Sequence, residues 1–107
     1  MPSMMLDKVE VRETKSGKKT YAKDLIPKGT NIGPIFMIRG KTGDYKRDFI
    51  RTELGKYITQ NQFYYNLKIQ ARQYKIYAIA TENIYPGDEL VIDQFPWMLP
   101  FYTNFNK

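Results

Sequence analysis

The sequence predicts a mainly β fold of several short sheets with one short helix, and three observations predict it. "FYYNLKIQA" alternates Phe63, Tyr65, Leu67, Ile69 and Ala71 with Tyr64, Asn66, Lys68 and Gln70, the period of two of a half-buried strand. "YKIYAIA" follows after a short turn and is almost continuously apolar, as a strand covered on both faces is. Nine Tyr, six Phe and one Trp bring the aromatic content to 15%, which favours strands over helices. The 107 residues are the length of one domain. A domain of this size buries roughly two thirds of its unfolded surface, enough for a single core.

The elements follow in order. "LDKVEVRET" places Leu6, Val9 and Val11 among charged neighbours and reads as a first strand. "KSGKK" is a turn centred on Gly17, and "TYAKDL" resumes as a second strand. "IPKGT" is a Pro-Gly turn. "NIGPIFMI" is a third strand, where Pro34 requires an edge or a bulge. "GDYKRDFIRTELGKYI" reads as the helix, capped by Asp44 and closed near Gly55, with Ile50, Leu54 and Tyr57 on one face. The "FYYNLKIQA" and "YKIYAIA" runs form a hairpin through "RQ", and "DELVID" is the last strand. The core is expected over about 6–95. The aromatic tail 96–107, interrupted by Pro96 and Pro100, is expected to pack on the domain or on a partner.

Composition excludes several chemistries. There is no Cys, so disulfides, zinc thiolates and cysteine nucleophiles are absent. There is no His, so neither a Ser-His-Asp triad nor a histidine-ligated metal exists, and no metal site is expected. Proton transfer would fall to Tyr, Lys or carboxylates. The N-terminus lacks a signal-peptide pattern, and no apolar run reaches the ~20 residues of a membrane span. A soluble, intracellular protein is the expectation. The net charge of +6 fits solubility, or an acidic partner met by Lys15, Lys18, Lys19 and Lys23.

An internal echo links two turns. "YAKDLIPKGTNI" matches "YAIATENIYPGDEL" once two residues are inserted. Each stops a strand at Ile26 or Ile84, turns through Gly29 or Gly87, and restarts. Thr30 and Asp88 are placed to bond back to turn backbone, which gives Asp88 a structural role before a chemical one.

These residues resemble the SET domain, in particular its PR subtype. "AKDLIPKGTNIGP" and "YAIATENIYPGDEL" carry the resemblance most strongly, within a match over about residues 8 to 95. It implies a β-clip fold and, in working members, methyl transfer from S-adenosylmethionine to a protein lysine. Its functional motifs are altered here. The Gly-x-Gly that lets backbone approach the cofactor keeps Gly17, while its second glycine is Lys18 or Lys19. The Asn-His of the central motif is Thr59 and Gln60, and Asn66 keeps that motif's final Asn. The Tyr that orients the lysine amine falls at Gln94, with Phe95 beside it and Tyr102 the remaining phenol in the tail. The resemblance thus implies Gly17, Tyr21, Thr59, Gln60 and Asn66 for the cofactor. For a lysine channel it implies Phe95, Trp97, Phe101 and Tyr102, whose aromatic faces attract methylammonium groups.

Fold motifs survive while functional motifs change, and fold does not imply function. The favoured reading is therefore a degenerate SET-like domain acting as a binding or assembly module. An active, divergent protein-lysine methyltransferase is the alternative, and a β-clip virion or assembly protein forming a homo-oligomer is the second. The compactness makes a viral or phage product an expected source. A domain of net charge +6 repels lysine-rich peptides at long range, unless Asp88, Glu89 and Asp93 form a local acidic patch.

Overall fold

The structure is a computed structural model and describes residues 6–98. A 3-10 turn, Leu6–Lys8, leads into β1 (Val9–Thr14), which pairs antiparallel with β2 (Gly17–Ala22). The turn needs Gly17 at φ +107°, and Thr14 Oγ1 fastens it by donating to the Gly17 carbonyl at 2.6 Å. Val9, Thr20 and Ala22 face the core, whereas Val11 is exposed, so the hairpin tip stands away from the body.

The second sheet has six strands in the order β4-β3-β7-β6-β8-β5. β3 (Asn31–Ile38) is central and buries Ile32, Ile35, Phe36 and Ile38. Pro34 sits where β3 has no β4 partner and next to register shifts, so its missing N–H interrupts no ladder. β7 (Lys75–Ala80) lies between β3 and β6 (Leu67–Arg72). Its Ile76, Ala78 and Ala80 are buried and its Tyr77 and Ile79 half-buried. The β6–β7 turn is Gln73–Tyr74, one residue beyond the expected "RQ", with Gln73 at φ +56°.

Two expectations are corrected. The helix is a single turn, α1 (Tyr45–Asp48), capped by the Asp44 side chain. The chain then extends as β4 (Phe49–Arg51) because it pairs with Phe36 to Ile38 of β3, and this tertiary pairing overrides helix propensity. Ile50 consequently faces solvent instead of sharing a helical face with Leu54. The strand expected from Phe63 begins only at Leu67. Asn61 Oδ1 accepts from the backbone N–H of Phe63 (2.8 Å) and of Tyr64 (3.1 Å), which folds that stretch into a loop. The aromatic alternation at 63–65 is therefore on the surface.

The echo proves to be a pseudo-two-fold pair, and no insertion is needed. Ala22, Ile26, Gly29, Thr30 and Ile32 correspond to Ala80, Ile84, Gly87, Asp88 and Leu90. Gly29 N–H donates to Ala80 O and Gly87 N–H to Ala22 O, both at 2.8 Å. Asp88 Oδ2 accepts from Tyr85 N–H at 3.0 Å, the turn-closing role expected of it. Ile26, Ile32, Ile84 and Leu90 are all at 0% exposure and form the floor of the core.

β8 (Val91–Ile92) lies between β5 (Thr59–Gln60) and β6, parallel to both. The loop 61–66 connects those two neighbours, so the last strand is held inside a loop of earlier chain. This threaded crossing positions the site.

Candidate functional site

Asn66 fastens the crossing. Its Nδ2 donates to Glu89 O at 2.8 Å and its Oδ1 accepts from Val91 N–H at 2.9 Å. Both ends of the amide are thus committed to the backbone entering β8. On the other flank Thr59 Oγ1 donates to Glu89 Oε2 at 2.7 Å, and Gln60 Nε2 donates to Asp93 O at 2.9 Å. Thr59, Gln60 and Asn66 therefore all hold β8, two from one side and one from the other.

Two concavities open around this crossing. A groove of about 780 Å³ has an aromatic rim of Phe63, Tyr64 and Tyr65, with Glu82, Asp88 and Glu89 along its wall and Lys68 among them. Phe63 and Tyr64 are 77% and 80% exposed, so these rings are presented to solvent. A pocket of about 450 Å³ lies by β5, lined by Lys18, Arg51, Lys56, Tyr57, Thr59, Gln60 and Phe95, with Ile58. Its side chains include three cations and no carboxylate. Glu89, bonded to Thr59, lines the groove and not the pocket.

After β8 the chain meets the core with an aromatic stack. Trp97, in the 3-10 turn Pro96–Met98, is stacked with Phe95 at 4.8 Å and with Tyr45 at 4.6 Å between centroids. Phe36 meets Phe95 and Trp97 edge-on. The Arg51 guanidinium lies 5.0 Å over Phe95 and 5.1 Å over Phe36, and donates to Gly55 O at 3.1 Å. Packing against these rings partly desolvates Arg51 and lowers its pKa, and a guanidinium remains charged nonetheless.

The structure brings Thr59, Gln60 and Phe95 to one pocket, adjoined by the hairpin at Lys18. Gly17 forms the hairpin turn next to Lys18. Tyr21 bridges to Glu89 and carries Arg12 over its ring at 4.7 Å. Gln94 is half-buried, with its N–H on Asp93 Oδ1 at 2.8 Å. Phe101 and Tyr102 lie outside the described residues. Lys18 and Lys19 are successive on a strand and point to opposite faces, and Lys15 and Lys23 sit at opposite ends of the hairpin. Sequence reasoning missed Arg51, Lys56 and Tyr57. The signal was present in "KYITQ", where a cation and a phenol are separated from Thr59 and Gln60 by Ile58 alone.

No protein-family profile matches the chain, and no curated protein sequence does. Solved structures do match. The methyltransferase domain of human PR domain-containing protein 2 superposes with a TM-score of 0.62 at 17% identity, over 82% of this chain and 77% of that one. A candidate histone methyltransferase of Plasmodium falciparum gives 0.62 at 13% identity, over 79% and 90%. The ATXR5 SET domain, in complex with a methylated histone H3, gives 0.61 at 14% identity, over 80% and 56%.

The fold is SET-like.

The threaded β8 of this SET-like domain and its paired turns account for the two stretches that carried the resemblance. These neighbours are methyltransferase and SET domains, and at 13–17% identity the likeness is one of fold. Among the described residues, no helix is long and apolar enough to cross a membrane.

Proposed function

We propose that this SET-like domain binds a lysine- or arginine-bearing segment of a partner protein in the groove beside Asn66 and does not transfer a methyl group. The observation that carries the reading is the stack Arg51–Phe95–Trp97–Tyr45. Phe95 and Trp97, the two described rings of the expected lysine channel, already have cationic or aromatic neighbours over them. A methylammonium group would have to displace Arg51 or Tyr45 to reach them. Two residues past β8, the resemblance puts Gln94 where its orienting phenol would stand.

The groove supports the binding half of the reading. Its rim of three aromatic residues offers exposed faces to a cation, and its wall carries more acids than bases. This local patch is opposite in sign to the domain as a whole, whose net charge is +6. A basic partner would thus be steered to one face. That a neighbour of the same fold is solved in complex with histone H3 is consistent with a peptide partner.

S-adenosylmethionine fits the pocket beside β5 poorly. The ligand carries a sulfonium and an ammonium against one carboxylate, and the pocket offers Lys18, Arg51 and Lys56. Its carboxylate would find a partner, whereas its two cationic groups would meet no lining carboxylate and only the Tyr57 and Phe95 rings. Like charges about 8 Å apart cost about 2 kcal/mol at an effective dielectric of about 20. Repulsion of that size offsets the roughly 1 kcal/mol expected from one aromatic contact.

The test measures two quantities on the purified chain. Calorimetric titration with an arginine- and lysine-rich peptide is expected to show saturable binding that weakens with salt. Incubation with the same peptide and labelled S-adenosylmethionine is expected to leave the label in solution. Label on any lysine sinks the proposal, and so does peptide binding that survives Glu82→Gln together with Tyr64→Ala.

A further inference from the structure

The pocket beside β5 is a separate feature that the peptide groove leaves unexplained. Lys18 comes from the β1–β2 hairpin, Arg51 from β4 and Lys56 from the turn after it. Three cations from separate elements therefore converge on one open concavity. Among the described residues the ion pairs are Lys8 with Asp24 and Arg12 with Glu10, and neither involves these three. Cations with no carboxylate partner around a shared concavity repel one another, and an anion there relieves that repulsion.

The remaining lining narrows the anion. Lys18 Nζ and Lys56 Nζ lie 5.6 Å and 5.8 Å from the centre of the Tyr57 ring. Both are long, flexible side chains that can swing from the ring to a ligand and leave the ring's faces for stacking. Thr59 and Gln60 add polar edges to the same wall. A volume of about 450 Å³ exceeds what an inorganic ion needs, and lies within the roughly 300–1,000 Å³ of small-molecule sites. Arg51 offers a planar fork that suits phosphate oxygens.

We infer that this pocket is a binding site for a nucleoside polyphosphate, with phosphates among Lys18, Arg51 and Lys56 and the base against Tyr57. The charge that makes S-adenosylmethionine a poor fit is the charge that this ligand class requires. The site is distinct from the peptide groove, since the two share no lining residue.

Titration calorimetry of the intact chain tests the inference with ATP, AMP, adenosine, tripolyphosphate and S-adenosylmethionine. Affinity is expected to fall in the order ATP, AMP, adenosine, and to weaken for ATP as salt rises. Lys18→Gln with Lys56→Gln is expected to weaken ATP at least about tenfold, the effect of removing a charged contact worth about 1.4 kcal/mol. These two side chains are at the surface, so the thermal midpoint of the double variant should match that of the parent. Tyr57→Ala is expected to weaken ATP and leave tripolyphosphate unchanged. Equal affinity for ATP and adenosine, tighter binding of S-adenosylmethionine than of ATP, or no saturation by millimolar ATP overturns the inference. Tripolyphosphate binding as tightly as ATP overturns the nucleoside assignment. Methyl transfer measured on the same preparation would sink the peptide-binding proposal without bearing on this order of affinities.

Discussion

Ile26 and Ile84 exchange both of their backbone hydrogen bonds, each 2.8 Å long, at the centre of two turns of matching sequence. Around this bridge each turn's glycine donates to the strand end preceding the other turn. Gly29 and Gly87 sit at φ +87° and +94°, and a Cβ at either would meet nothing within 4 Å. The cost of a side chain there is conformational alone, about 1–2 kcal/mol for a left-handed position. Gly29→Ala and Gly87→Ala should therefore destabilise by that amount and nearly equally in denaturant unfolding. A large difference between them would show that the two turns are not equivalent.

Gly55 is a glycine for a different reason. A Cβ there would run into the carbonyl oxygen of Ile35 and come within 2.8 Å of its carbonyl carbon. Both obstacles are backbone in the central strand, so neither can move cheaply. Gly55→Ala is expected to cost about 3 kcal/mol, the upper part of the usual overpacking range. Chemical denaturation of this variant beside Gly87→Ala checks the ranking, because the sequence motif alone would rank the Pro-Gly turn as the more sensitive site.

Asn66→Ala removes the clasp on β8. It leaves Val91 N–H and Glu89 C=O without their side-chain partner at the threaded crossing. The site is half-buried, so water can replace part of the loss, and a cost of about 1–3 kcal/mol is expected. Amide exchange at Val91 should accelerate more than at Ala78, which is held by β3 and β6 on either side. Equal acceleration at both would mean that Asn66 does not act locally.

The strands and paired turns were legible because their signals are local. Period two in "LKIQ" and the Pro-Gly punctuation each describe a few adjacent residues. What the sequence concealed depends on distant partners. Phe49 to Arg51 read as helix until β3 was there to pair with them, and Phe63 to Tyr65 read as strand although Asn61 folds them into a loop. Gly55 read as a helix end because the carbonyl it must avoid is at Ile35, in another strand. The pocket was half visible. The resemblance pointed to Thr59, Gln60 and Phe95, but Arg51 and Lys56 were hidden in the supposed helix, and only its unwinding brings their charges to the same cavity.

Asp48 supplies a pH dependence with a definite sign. It is 1% exposed, and burial by itself would raise its pKa. Thr42 N–H and Thr42 Oγ1 at 2.8 Å and Gly43 N–H at 2.9 Å outweigh that, with Arg47 adding a favourable charge, and the pKa is lowered. A folded pKa below the unfolded value of 3.8 means that Asp48 stabilises the fold above that pH. The contribution is lost as pH falls from there through the folded pKa. Unfolding of the parent chain should therefore become easier below pH 3.8, with loop 40–48 opening first. Asp48→Asn should lower the thermal midpoint at neutral pH, since an amide nitrogen cannot accept from Thr42 or Gly43 as a carboxylate oxygen does. It should also make the acid limb shallower by up to one proton. A midpoint for Asp48→Asn that falls as steeply with acid as the parent's would assign that limb to other carboxylates.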